Sequence, residues 1–220
     1  MYLSLNARLL RSEKVYDEFV KKSAARAQKR QQKTGDAIDA KTEHTPVVDK
    51  AQLERIKSYI ASGVAEGAKL VTGGKQADRE GFFVEPTIFA DVQDDMKIAK
   101  EEIFGPVMSI LKYSNLAEAI KRANNTEFGL GAYVFSNNIG EALAVAKKLE
   151  AGTVWYQKKI LFSIIFLIFS RNRINGSNRI LPQTPFGGYK QSGIGRENGI
   201  YVLSEYLQVK QITVHGLPKL

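Results

Sequence analysis

The feature that most constrains this chain is a repeated alternation of helix-period and strand-period stretches, each opened or closed by its own punctuation. Asp49 reads as an N-cap, and Gln52 three residues on completes a capping-box pattern. Leu53, Ile56, Ile60 and Val64 follow at helical spacing, which predicts one buried face. A short strand is expected over Lys69 to Thr72, closed by Gly73-Gly74, and a buried one over Val107 to Tyr113. Asn115 with Glu118 and Asn138 with Glu141 cap two more helices, the second with apolar positions Ala142, Val145 and Leu149. Between them lies a strand over GLGAYVFS, and Gly152 stops the second helix before a strand opens at Thr153-Val154-Trp155. Strand, helix, strand, helix in succession predicts an α/β fold with a largely parallel sheet and flanking helices.

The flanks of this pattern differ. Glu13 to Gln32 is expected to be helical, with Val15 and Phe19 one turn apart, and Thr34-Gly35-Asp36 ends it in a polar loop. Gly81 to Val92, with Pro86 inside it, is expected to be extended at a sheet edge or bend. After the Gly-rich stretch PFGGYKQSGIG, Arg196 to Tyr206 reads as a helix. Val209 to Val214 reads as an exposed strand that needs a partner.

Composition narrows the chemistry. With 44% hydrophobic and 25% charged residues the 220-residue chain has ample apolar surface for a core. It has no cysteine, so disulfides, thiolate metal ligands and thiol catalysis are all excluded for this sequence. Its two histidines, His44 and His215, lie far apart in polar or terminal stretches and are expected at the surface; no metal site is expected. The net charge of +9 raises a nucleic-acid reading. Nine basic residues between Arg8 and Lys33 contain no nucleic-acid motif, so a solvated helix face is the expectation. The first residues, MYLSLNARLLRSEK, lack the apolar stretch and cleavage site of a secretory signal. The apolar run Ile160 to Phe169 is shorter than the roughly 20 residues a bilayer crossing takes. Neither a nucleic acid nor a membrane is therefore expected as a partner.

Three ordered segments carry a resemblance to a known family: KEEIFGPVMSILKY (Lys100 to Tyr113), EFGLGAYVFSNNIGEALAVAKKLEAGTVW (Glu127 to Trp155) and PQTPFGGYKQSGIGRENG (Pro182 to Gly199). VYDEFVKKS, DAKTEHTPVVDKAQLERIKSYI, EGAKLVTGG and GFFVEPTIF support them. Together they resemble the NAD(P)-dependent aldehyde dehydrogenases, over roughly Arg8 to Val214. The resemblance implies the C-terminal part of such an enzyme. Residues 1–206 would be a partial catalytic domain, and 207–220 a C-terminal oligomerisation strand and tail. The cofactor domain would be missing. A further implication is that Glu102 grips the ribose next to the nicotinamide, that Phe104 packs near that ring, and that Gln52 lies near the same ribose. Outside the family context Gln52 is equally well read as the N3 residue of a capping box. Phe186 would line the substrate tunnel and Asn178 its mouth. Gly187 and Gly188 would be turn positions that need backbone freedom. The implied cofactor is NAD or NADP, bound weakly or not at all by this chain alone. The implied substrate is a small-molecule aldehyde, oxidised to the acid. The full-length form would be a homo-oligomer, cytoplasmic or mitochondrial.

Two departures qualify this. The family reaction attacks the aldehyde with a cysteine thiolate, and the ungapped match places that residue at about Leu3, with the general base further upstream. No cysteine stands there, so the chain alone is expected to be inactive. A non-catalytic truncated isoform that associates with full-length subunits is the alternative. The second departure is 156–173, YQKKILFSIIFLIFSRNR, which interrupts the family spacing between Trp155 and Ile174-Asn175. It carries four of the net positive charges and would expose an apolar run. Its length of 54 nucleotides and its Phe- and Ile-rich composition read as a retained intron, with a lineage-specific loop as the alternative. Gln208 stands where many members carry Glu, so interface contacts are expected to differ.

Overall fold

A computed structural model describes residues 8–158 and 181–215, with the side chains described as far as Trp155 and from Leu181. Its centre is a four-stranded sheet in the order β1-β4-β3-β2, built from β1 (Arg8–Ser12), β2 (Lys69–Thr72), β3 (Thr87–Ala90) and β4 (Val107–Tyr113). β1, β4 and β3 are mutually parallel, and β2 closes the edge antiparallel to β3. Strict alternation along β4 explains why the sheet is covered on both sides. Met108 and Ile110 face α1 (Tyr16–Gln31), packing with Tyr16, Phe19, Ala27 and Ile88. Val107 and Leu111 face the other way, into a larger core with Leu53, Ile56 and Ile60 of α2 (Lys50–Ala65) and Phe89 of β3. Ser109, between them, is buried and satisfied by donating its hydroxyl to the Ile98 carbonyl at 3.1 Å.

α2 follows its sequence signals closely. Asp49 Oδ1 accepts from the Gln52 amide at 2.7 Å. The buried stripe is Leu53, Ile56, Tyr59, Ile60 and Gly63. Val64, expected in that stripe, is exposed instead. Gly63 takes the inward place because a Cβ there would lie 2.9 Å from Ile98 Cδ1. The chain from β3 to β4 contains a single helical turn, α3 (Lys97–Lys100), and then the loop Glu101 to Pro106. α4 (Leu116–Asn124) and α5 (Ile139–Ala146) start where Asn115 and Asn138 accept from the Glu118 and Glu141 amides. Two small sheets complete the described part. β5 (Phe128–Gly129) pairs antiparallel with β8 (Tyr189–Lys190), and β6 (Gly131–Ser136) pairs parallel with β7 (Thr153–Lys158). The backbone of β7 thus runs three residues into the anomalous segment 156–173, whose remainder lies outside the described residues.

Several expectations are corrected. Arg8–Ser12 is a strand, paired with β4, where the basic stretch Arg8 to Lys33 was expected to form a solvated helix face. Arg196 to Tyr206 is not one helix: Asn198 and Gly199 adopt φ of 63° and 62°, so only a 3₁₀ turn at Ile200–Val202 and α6 (Leu203–Tyr206) form. His44 is buried, not superficial. No C-terminal oligomerisation strand is formed by the described residues either. The described part, 207–215, runs as exposed irregular chain, because a lone extended segment has no ladder without an edge beside it. The fold-class assignment changes as well. The α/β class stands, but a mixed, mostly parallel sheet with helices on both faces is the Rossmann-type architecture of a cofactor-binding domain. With no cysteine in the chain, the catalytic-domain assignment does not stand.

Part of the basic excess has work inside the fold. Arg8 donates to the carbonyls of Arg122, Ala99 and Asn125, and Arg11 lies over the Phe19 ring. Lys22 pairs with Glu18, Lys33 with Glu43, and Arg30 donates to the Glu43 carbonyl. Among the described residues no helix is long and apolar enough to cross a membrane.

Candidate functional site

The loop Glu101 to Pro106 is held against the start of α2 by side chains of that helix. Gln52 Nε2 donates to the Phe104 carbonyl at 2.8 Å and to the Ile103 carbonyl at 3.3 Å. Arg55 Nη2 donates to the Glu102 carbonyl at 3.2 Å. The Tyr59 hydroxyl donates to Glu101 Oε2 at 2.8 Å. Ile103 turns into the core, and Gly105 lets the loop lie on the helix, since a Cβ there would sit 2.6 Å from Ile56 Cδ1.

Two features of this loop are costly for a purely structural segment. Phe104 has φ of 56°, in the left-handed region that disfavours a bulky side chain, and the residue is 51% exposed. Glu102 is half-buried, and its Oε1 is buried with no hydrogen-bond partner among the described residues. Burial pushes its carboxyl above the ordinary carboxylate range, with the Arg55 charge acting in the opposite direction. An orphaned acceptor next to a strained, exposed aromatic is an arrangement that a ligand with hydroxyl donors and a flat ring would complete.

Three of the expected residues, Gln52, Glu102 and Phe104, are therefore brought to one place. Gln52 stands at N3 of the helix with its backbone N–H capped by Asp49, but its side chain holds the loop and does not reach back to close the capping box. Arg55 was missed. The available signal was its place at i+3 from Gln52 and i−4 from Tyr59, on the flank of the buried stripe.

Phe186 sits elsewhere. It is half-buried, and its N–H and carbonyl pair with those of Glu197, both at 2.7 Å. Gly187 and Gly188 are glycine because of close approach and not because of a left-handed backbone, which neither adopts. A Cβ on Gly187 would be 2.5 Å from the Gly195 carbonyl oxygen, and one on Gly188 would be 2.6 Å from Ser192. An open depression of about 570 Å3 lies beside this loop, lined in part by Tyr189, Lys190, Ile194 and Arg196, and not at Glu102. It is too shallow to enclose a small ligand, and its Lys190 and Arg196 are engaged with Glu150 and with the Gly188 and Gly195 carbonyls. Asn178 lies outside the described residues. Among the described residues no three His, Cys, Asp or Glu side chains converge as a metal site would require.

A profile described as the aldehyde dehydrogenase family matches residues 4–212. Retinal dehydrogenase 2 of Rattus norvegicus is 49% identical over 208 residues, which are 94% of this chain and 36% of that protein. An aldehyde dehydrogenase of Enchytraeus buchholzi is 48% identical over 208 residues, 94% of this chain and 38% of its own. Betaine aldehyde dehydrogenase of Staphylococcus aureus, a point mutant solved in complex with NAD+, superposes with a TM-score of 0.83 at 38% identity. That match covers 97% of this chain and 40% of the other. The NAD+ complex of an aldehyde dehydrogenase from Bacillus cereus gives a TM-score of 0.82 at 42% identity, covering 95% and 38%.

The chain thus spans a little over a third of the length of the curated relatives it matches. A piece of that length, without a cysteine, agrees with the reading as a fragment. Its expected place and its expected lack are corrected. The Rossmann-type sheet, in a chain matched by the family profile and by NAD+-holding structures, corresponds to the cofactor-binding domain and not to a C-terminal piece from which that domain is missing.

Proposed function

Because the chain belongs to the aldehyde dehydrogenase family, we propose that its Glu101 to Pro106 loop, clamped on α2, holds the nicotinamide-ribose end of NAD or NADP. Glu102 accepts from the vicinal ribose hydroxyls, a task for which an ionised carboxylate has lone pairs to spare. Phe104 lies against the nicotinamide and limits how that ring can rotate. Gln52 acts on both through the loop carbonyls. When bound, the cofactor supplies a hydride acceptor for the oxidation of a small-molecule aldehyde. Phe186 and Asn178 are proposed to border the passage that admits the aldehyde, and the full-length protein is proposed to be a homo-oligomer in the cytoplasm or a mitochondrion. The chain by itself oxidises nothing by the family route, since that route begins with a cysteine thiolate and the sequence contains none.

The observation that carries this reading is the buried, partnerless Oε1 of Glu102 next to the strained Phe104. Saturation-transfer NMR with NAD+ tests it, a method suited to the weak affinity expected of a fragment. Saturation is expected to concentrate on the nicotinamide and its ribose and to be lost in Glu102→Ala. Equal saturation in wild type and variant, or saturation confined to the adenine, overturns the reading.

A further inference from the structure

Arg55 has no role in the sequence signals or in the family resemblance, yet its contacts single it out. Gln52, Arg55 and Tyr59 follow one another at i, i+3 and i+7, so they form a stripe along α2. Between them they hold four consecutive residues of the site loop. Tyr59 takes the Glu101 carboxylate, Arg55 the Glu102 carbonyl, and Gln52 the carbonyls of Ile103 and Phe104. We propose that Arg55 is the positioning residue for Glu102, fixing its backbone while leaving its carboxylate open to the ribose diol. The inference rests on the cofactor reading above and names the residue that makes the site ready before the cofactor arrives.

The atom that Arg55 addresses decides what is left free for a ligand. An arginine aimed at the Glu102 carboxylate would form a bidentate ion pair and compete with the diol for the same lone pairs. Arg55 instead donates to the Glu102 carbonyl, and Glu102 Oε1 keeps no partner among the described residues. The guanidinium is close enough for its charge to favour the ionised carboxylate against the cost of burial. It is braced where it stands: its central carbon lies 5.5 Å from the Tyr59 ring centroid, and Nη2 is 3.4 Å from the Tyr59 hydroxyl. The other charged or titratable groups around the loop are Glu101, tied to Tyr59, and Lys97 and Lys100 on α3. Lys97 Nζ lies over the far partner, the Tyr59 ring, at 5.0 Å. Arg55 is thus the cation whose hydrogen bond and charge both act on Glu102.

Arg55 is exposed on the helix, so its replacement leaves the core untouched. The test is a pH titration of the Glu102 carboxyl by 13C NMR in wild type, Arg55→Met and Arg55→Lys, paired with NAD+ saturation transfer. Arg55→Met is expected to move the Glu102 midpoint upward and to weaken NAD+ binding at neutral pH by about two- to fivefold, the range of an exposed charge contact. Arg55→Lys is expected to bring the midpoint back toward wild type through its charge, and to restore affinity only in part because it lacks the planar fork. If Glu102→Ala abolishes NAD+ binding while Arg55→Met leaves midpoint and affinity unchanged, the positioning role is overturned and the cofactor reading stands. If Glu102→Ala leaves NAD+ binding intact, the cofactor reading falls, and the role of Arg55 falls with it.

Discussion

Replacing Gln52 by Glu separates the two roles that a residue in that position can play. Glu is as good as Gln in a capping box, where the side chain accepts from the N-cap amide. It cannot donate, however, and the Gln52 side chain is a donor here, to Phe104 O at 2.8 Å and Ile103 O at 3.3 Å. Each bond is worth about 1 kcal/mol when fully formed in a protein. The Ile103 bond is long and the Phe104 bond is exposed, so together they contribute roughly 1 kcal/mol. The new carboxylate would also face two carbonyl oxygens with Glu101 and Glu102 nearby, a repulsion of up to about 1 kcal/mol at a half-exposed position. The expected loss is therefore about 1–2 kcal/mol. With a urea slope of about 2–3 kcal/mol/M for a domain of this size, the unfolding midpoint falls by roughly 0.5 M. Gln52→Ala, which removes the donor without adding charge, should fall by about half as much. Equilibrium urea unfolding followed by Trp155 fluorescence and by circular dichroism reads both. A Gln52→Glu midpoint equal to or above wild type would refute the clamp and return Gln52 to a capping role.

Two further outcomes follow from the packing. His44 is buried, hydrogen-bonded through Nε2 to the Val84 carbonyl at 2.6 Å, and burial holds its imidazole below the ordinary value of 6.5. The unfolded chain therefore binds a proton that the folded one refuses, so stability falls as pH drops from about 6.5 toward the depressed value. His44→Gln should flatten this dependence between pH 7.5 and 5.5 in urea unfolding, and an unchanged slope would contradict it. At Gly152 a Cβ would lie 1.8 Å from the Gly187 carbonyl oxygen, backbone against backbone. Gly152→Ala should cost about 3 kcal/mol or more. That corresponds to a Tm lower by roughly 6–12 °C in a thermal melt, and an unchanged Tm would contradict the close approach.

The parts legible in the sequence are those where a local signal and the tertiary demand coincide. Asp49 marked the start of α2, and Asn115 and Asn138 marked two others, because a cap is a contact between near neighbours. Val107–Tyr113 and Lys69–Thr72 match their expected bounds because β4 is a buried apolar run and β2 is cut by two glycines. Arg8–Ser12 escaped because its strand character comes from β4, to which it pairs residue for residue, and not from its own composition. Val209 to Val214 misled for the opposite reason: the apolar alternation is present, but no edge of the described sheets lies beside it. His44 was misplaced because its burial depends on a carbonyl 40 residues away.

The site divides in the same way. Gln52, Glu102 and Phe104 were named through family resemblance, and their convergence needed the fold that lays the 101–106 loop on α2. The orphaned Oε1 of Glu102 and the left-handed Phe104 leave no trace in sequence, being properties of a packed backbone. The role of Arg55 was hidden because its partner is a main-chain carbonyl, which any residue would supply. The glycines of the 187–188 loop were recognised as necessary but for the wrong reason, since close approach and left-handed torsion favour the same residue.

Whether the cofactor binds at the Glu101 to Pro106 loop on α2 is read most directly by titrating the 15N-labelled chain with NAD+ and following each amide. The largest shifts are expected at Glu102, Ile103, Phe104 and Gly105 and at Gln52 and Arg55, with the amides of the 186–197 loop left in place. Shifts centred on the 186–197 loop, or absent from residues 101–105 at saturating NAD+, would contradict binding there.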